Sequence, residues 1–139
     1  MNKGNGMEKS DRLVMAQTIW GESRGETKEG QYAIAHVIKN RLDSKRWFSA
    51  DTLEGVCKKK WQFSCWNEND PNKEKMEQLT HGDIKDFVDI ANNVLDGLHD
   101  SNVGKATHYY ADYISEPKWA EGKTPITKIG VHHFYEDID

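Results

Sequence analysis

Apolar residues recur at helical spacing in three stretches of the chain, and polar clusters separate them. Leu13, Ala16, Gln17 and Trp20 fall at helical spacing, with Val14 and Ile19 widening the stripe. That spacing predicts an amphipathic helix beginning near Arg12. Ser10 or Asp11 is placed to cap it, and Gly21 and Gly25 to weaken and end it. Thr27 caps a second expected helix, on which Tyr32, Ala35, Ile38 and Leu42 form a broad stripe flanked by Ile34 and Val37. Its last turn carries Asn40 and Arg41. Arg41 is read either as a surface cation at the helix C-terminus or as a partner for a carboxylate upstream. A third helix is expected to open at Asp83, with Phe87, Ile90, Ala91, Val94, Leu95 and Leu98 on its apolar face and Gly97 and Gly104 marking its end.

Between and after these helices the pattern changes. A short helix carrying Leu53 and Val56 is expected after Asp51 or Thr52, and another over Lys73 to Leu79. Trp61-Gln62-Phe63-Ser64-Cys65-Trp66 is the most aromatic stretch, and it reads as an ordered loop or a single strand. From Lys105 the texture becomes β-branched and aromatic. Residues 106–111 and 128–135 predict two extended segments that pair as a hairpin-like sheet, with a turn at Pro117-Lys118-Trp119. The expected class is α+β, mostly helical with a small antiparallel sheet.

Composition narrows the function. With 139 residues the chain predicts one domain, 11–139, behind a leader over 1–10. The leader lacks the apolar centre of a signal peptide, and no apolar run nears the roughly 20 residues that span a bilayer. A net charge of −4 speaks against a nucleic-acid partner. The basic run Lys58-Lys59-Lys60 is a solvated turn or an attraction to an anionic polymer. Cys57 and Cys65 are too few for a disulfide scaffold, and either a single bridge or two buried thiols fits them. Five Trp and five Tyr are many for this length; they serve a core or a sugar-binding surface.

Candidate chemistry centres on Glu22, in Ile19-Trp20-Gly21-Glu22-Ser23-Arg24-Gly25-Glu26. The helix is expected to stop there. Its last carbonyls disfavour ionisation of a nearby carboxyl, and partial burial against Trp20 works in the same direction. A carboxyl that stays protonated near neutrality is suited to act as a general acid in glycoside cleavage. The residues Gln62 and Ser64, set between rings, are suited to hydrogen-bond sugar hydroxyls or an acetamido group. Other chemistries find less support. His132 and His133 are adjacent and point to opposite faces of a strand, HExxH is absent, and no flanking pattern supports a nucleophile pair of Cys65 or Cys57 with His108. No metal and no cofactor is expected.

Taken together, these segments resemble the SleB/CwlJ-type cell-wall hydrolase family, which includes spore-cortex-lytic enzymes and phage endolysins. The resemblance rests on Glu22-Ser23-Arg24-Gly25-Glu26, Glu29-Gly30 and Asn40-Arg41, then Gln62-Phe63-Ser64-Cys65-Trp66, Thr107-His108-Tyr109, Pro117-Lys118-Trp119 and Ile129-Gly130-Val131-His132-His133-Phe134. It runs from about Leu13 to Tyr135. It implies a lysozyme-like fold and cleavage of peptidoglycan glycan strands, with Glu22 as the catalytic acid; the expected state is a monomer. It is similar in this to lytic transglycosylases, which use one Glu and leave a 1,6-anhydro product. Glu26, Gln62, Phe63, Ser64, Trp66, His108, Tyr109 and Trp119 are the expected substrate-binding residues. Ser23 departs from the commoner Ala of spore enzymes. With no signal peptide, the expectation is a phage endolysin released by lysis, or a domain of a larger secreted protein. A hydrolytic muramidase with Glu26 or Glu29 as second carboxylate, a non-catalytic wall-binding module, and an amidase or peptidase are the competing readings.

Overall fold

The structure, a computed structural model, describes residues 9–59 and 62–138. The leader up to Glu8, Lys60, Trp61 and Asp139 lie outside the described residues. Five α-helices come first: α1 Lys9–Ser23, α2 Lys28–Ser44, α3 Leu53–Lys58, α4 Asn72–Glu77 and α5 Lys85–Leu95. Three strands follow, β1 His108–Ala111, β2 Thr127–Ile129 and β3 His132–Tyr135. They form one antiparallel sheet in the order β1-β3-β2.

Helix α1 is the hub, packed by α2, α3, α4 and α5 and by a 3-10 turn over Ser64–Trp66. Its Met15 and Ile19 are fully buried with Ile34, Val37 and Ile38 of α2, Leu53 and Val56 of α3, and Phe63 and Met76. Burial of this apolar area is the main source of stability, at roughly 25 cal/mol per Å² removed from water.

Local signals in the sequence place several boundaries. Thr27 caps α2, its hydroxyl accepting from Gly30 N–H at 3.2 Å, and Thr52 caps α3 by accepting from Gly55 N–H at 3.0 Å. Helix α2 ends on Lys45 in the left-handed region, at φ 62°. Other expectations are corrected. Helix α1 already begins at Lys9, so Ser10 and Asp11 lie inside it. Asp11 instead accepts from Glu54 N–H at 3.2 Å, capping the start of α3 across a tertiary contact. Gly21 lies within α1, which ends only after Ser23. Of the aromatic stretch, read as an ordered loop or a single strand, Ser64–Trp66 form the 3-10 turn, which fits the loop and not the strand. Helix α5 stops at Leu95, and Leu98 lies beyond it, exposed. The expected strand over 128–135 is two strands, because Gly130 adopts φ 59° and turns β2 back into β3.

Register decides which side chains meet. Tyr109 pairs with Phe134 and Ala111 with His132, so these four share one face, toward the helices. His108 and Tyr110 pair with Tyr135 and His133 on the other face. There Trp119, Ala120, Tyr135 and Ile138 make a second, smaller apolar cluster.

Candidate functional site

The last turn of α1 delivers Glu22 into a cleft of about 320 Å³, whose lining includes Arg41, Gln62, Ser64, Asn67, Tyr109 and His132. Both carboxylate oxygens are held. Tyr109 donates its hydroxyl to Glu22 Oε1 at 2.6 Å, and the backbone N–H of Cys65 donates to Oε2 at 3.2 Å. Strand β1 supplies the first donor and the 3-10 turn the second. Two donors from different elements fix the carboxyl in one orientation, and both strengthen when it is charged.

The surroundings keep these donors in place. Burial, and then the Glu22 carboxylate, push the Tyr109 phenol well above its usual value, so it stays protonated and donates. The same two causes push up the Cys65 thiol. Cys57, fully buried, is pushed up by burial to about 12. Both cysteines are free thiols, and neither is poised as a thiolate nucleophile. His132 meets the Tyr109 ring edge-on at 5.1 Å. Burial lowers its pKa, against the opposing pull of Glu26 and Glu22.

Arg41 is neither of the alternatives read from sequence in simple form. It is buried in the wall of the cleft, its Nε donating to the Thr107 carbonyl at 2.6 Å and its guanidinium 4.6 Å over the Phe63 ring. One of its terminal nitrogens has no hydrogen-bond partner among the described residues. Burial lowers its pKa, while Tyr109 and then Glu22 raise it. Arg41 is therefore a fixed positive charge near the tyrosine–carboxylate pair.

Of the residues expected from sequence, Glu22, Gln62, Ser64 and Tyr109 come together in this cleft. Four others lie elsewhere. Phe63 and Trp66 are core residues; the Trp66 indole N–H donates to Thr18 Oγ1 at 2.8 Å, inside the helical core. His108 is adjacent to Tyr109 and so points to the opposite sheet face. It packs there between Phe48 and Trp119, with burial as the main cause of a pKa lowered to about 4. Trp119 belongs to the second apolar cluster with Tyr135. Glu26 stands at the margin. Its carboxylate packs so closely on Gly130 that a Cβ there would come within 2.6 Å of Oε1. Trp20, expected to cover Glu22, has its ring face occupied by the Arg24 guanidinium at 4.0 Å.

The cleft also contains residues not singled out from sequence as binding residues, among them Asn67, Tyr110, Ala111, Tyr113, Ile114 and His132. Strand alternation was a usable signal for His132, because it separates His132 from His133. Asn67, Tyr113 and Ile114 carry no local signal. A second hollow of about 400 Å³ lies between Arg46, Phe48, Lys105 and Glu136. Its Glu136 already accepts from the Lys105 N–H at 2.8 Å and serves the loop there.

With this geometry in place, the comparisons are informative. A family model described as Cell Wall Hydrolase matches residues 25–135, a span that opens just after Glu22. A spore cortex-lytic enzyme of Oceanobacillus iheyensis is 30% identical over 140 residues, covering 96% of this chain and 44% of that protein. One of Bacillus subtilis is 30% identical over 137 residues, covering 97% of this chain and 40% of its own length. The chain thus spans less than half the length of these relatives. Among solved structures, the catalytic domain of the Bacillus cereus SleB protein superposes with a TM-score of 0.78 at 27% identity, covering 98% of each chain. The catalytic domain of the germination-specific lytic transglycosylase SleB from Bacillus anthracis gives 0.71 at 27% identity, covering 95% of this chain and 98% of that one. On a match through most of its length, and with the same helical domain and three-stranded sheet, the chain belongs to the cell wall hydrolase family.

Proposed function

We propose that the protein cleaves the β-1,4 bond between N-acetylmuramic acid and N-acetylglucosamine in peptidoglycan glycan strands, as a lytic transglycosylase with Glu22 as its single acid–base. One observation carries the reading. Among the described residues, Glu22 is the sole carboxylate lining the cleft, and two donors from separate elements hold it. A hydrolytic muramidase ordinarily uses a second carboxylate, as nucleophile or to activate water.

In the proposed reaction Glu22 gives its proton to the glycosidic oxygen as the bond to the anomeric carbon breaks. The leaving sugar departs with a new hydroxyl. The substrate's acetamido oxygen steadies the positive charge left on the anomeric carbon. The Glu22 carboxylate, held by Tyr109 and the Cys65 N–H, then takes the proton of the 6-hydroxyl. That oxygen bonds to the anomeric carbon and closes the 1,6-anhydro ring. Proton transfer of this kind contributes ~10²–10⁴-fold, and orientation of the strand supplies more. Gln62 and Ser64 are placed to hydrogen-bond the sugar beside the bond. We further propose that the protein acts as a monomer on the wall.

The test is Glu22→Gln, assayed on purified sacculi by turbidity and by mass spectrometry of the products. The variant is expected to fold and to leave the sacculi intact, while the parent releases anhydro-ended muropeptides. Reducing ends from the parent would replace the transglycosylase by a muramidase. A lytic Glu22→Gln protein would overturn the role of Glu22. Binding to sacculi by the parent without lysis would make the protein a wall-binding module.

A further inference from the structure

Five large apolar side chains are exposed among the described residues: Trp47, Leu98, Tyr113, Ile114 and Ile126. Two of them, Tyr113 and Ile114, are neighbours that line the Glu22 cleft. Tyr113 is 77% exposed, and neither its ring nor its hydroxyl has a partner among the described residues. An unpaired aromatic ring in water is an unfilled contact surface, and beside a polar cleft it is most useful against a ligand with both apolar and polar faces.

The segment that carries the ring is tied down. Just beyond β1, Asp112 N–H donates to the Val131 carbonyl at 2.7 Å, and the Asp112 carboxylate pairs with Lys128 of β2 at 2.8 Å. Ile114 N–H closes the turn on the Ala111 carbonyl at 3.2 Å. Tyr113 is therefore presented from a turn anchored to strand β2 and to the turn of the β2–β3 hairpin, and little ordering remains to be done when a ligand arrives.

We infer that Tyr113, backed by Ile114, is a stacking platform for one pyranose ring of the glycan strand at the rim of the Glu22 cleft, and that it sets affinity for the strand. This inference rests on the glycan-cleaving reading above. A pyranose has an apolar face of C–H groups and an equatorial rim of hydroxyls. The flat ring of Tyr113 covers the first, and its hydroxyl reaches the second. The stacking interaction is with the sugar and not with the stem peptide.

The experiment uses soluble glycan strands freed of stem peptides by an amidase. Steady-state cleavage is measured for the parent, Tyr113→Ala and Tyr113→Phe, with Leu98→Ala as a control that removes an equally exposed side chain away from the cleft. Tyr113→Ala is expected to raise KM about tenfold, equivalent to ~1.4 kcal/mol, with kcat held within about twofold. Tyr113→Phe keeps the ring and most of the affinity, and Leu98→Ala leaves KM unchanged. Strand binding is measured in parallel in a Glu22→Gln background, where Tyr113→Ala is expected to weaken it by the same factor. An unchanged KM for Tyr113→Ala overturns the inference, as does a fall in kcat at constant KM. So does an effect that appears only on strands still carrying peptides. Residual cleavage by Glu22→Gln would count against the acid and leave the binding arm intact, so the two failures are distinguishable.

Discussion

Gly21 offers the sharpest test of how the fold holds the Glu22 carboxyl. It lies inside α1, one residue before Glu22, where a glycine costs about 1 kcal/mol relative to alanine in helix propensity. By that measure alone, Gly21→Ala stabilises the protein. The tertiary structure reverses the sign. A Cβ at Gly21 would stand 2.4 Å from Met76 Sδ, 2.9 Å from Cys65 Cβ and 3.0 Å from Cys65 Sγ. Ordinary carbon contacts lie near 3.5–4.0 Å, so both neighbours must retreat. Met76 is fully buried and Cys65 nearly so, which leaves them little room. Overpacking of this kind costs ~1–3 kcal/mol. Retreat of Cys65 also lengthens its N–H bond to Glu22, already 3.2 Å and at the outer end of the usual range. A typical hydrogen bond contributes ~0.5–1.5 kcal/mol, of which a stretched one loses only part. Set against the propensity gain, the expected net loss is about 1–2 kcal/mol, a fall in Tm of about 5 °C. The specific activity of the folded fraction should fall about tenfold. Far-UV circular dichroism gives the first quantity and turbidity loss of sacculi the second. A variant that melts higher than the parent and clears walls at the parental rate would refute the account.

Tyr109→Phe removes the hydroxyl that donates to Glu22 at 2.6 Å but keeps the ring beside His132 and Phe134. Lysis is expected to slow ~10–100-fold with little change in melting, read by initial turbidity rates; an unchanged rate removes Tyr109 from the mechanism. His36 and His108 predict acid sensitivity. Burial, and then His99, lower His36 from 6.5 to about 4, while burial, and then Arg41, lower His108 to about 4. Each ring folds neutral and takes a proton more readily when unfolded. The stability they contribute is therefore fully present above the unfolded value and is lost as pH falls from 6.5 through about 4, at up to ~1.4 kcal/mol per pH unit for each ring. Urea midpoints measured across that window should fall, and His108→Gln should flatten the slope.

Much of the molecule was legible in order along the chain. The stripes of α1, α2 and α5 and the caps Thr27 and Thr52 are local, because i, i+3 and i+4 spacing and a hydroxyl before a helix act within a few residues. Glu22 was put forward as the candidate acid through a motif and its place at a helix end, and the structure sets it in a cleft. Gln62 and Ser64 were read for a good reason, since polar residues between rings are hard to place in a core.

The aromatic residues are where local reading stopped. Trp66 and Trp119 looked like sugar platforms and turned out to be packing, while Tyr113 looked like nothing and lies open at the cleft. Nothing within a few residues of a ring says whether another element will cover it. Sequence alone determined the helical stripes and the caps Thr27 and Thr52, and put Glu22 forward as the candidate acid, because those depend on neighbours in the chain. Tertiary structure decided the rest. The sheet register put Tyr109 and His132 on the side of Glu22 and His108 on the other. The 3-10 turn brought the Cys65 N–H onto the carboxylate, and Arg41 was buried in the wall of the cleft. Each of those outcomes depends on contacts between residues tens of positions apart, and such contacts exist only once the chain has closed on itself.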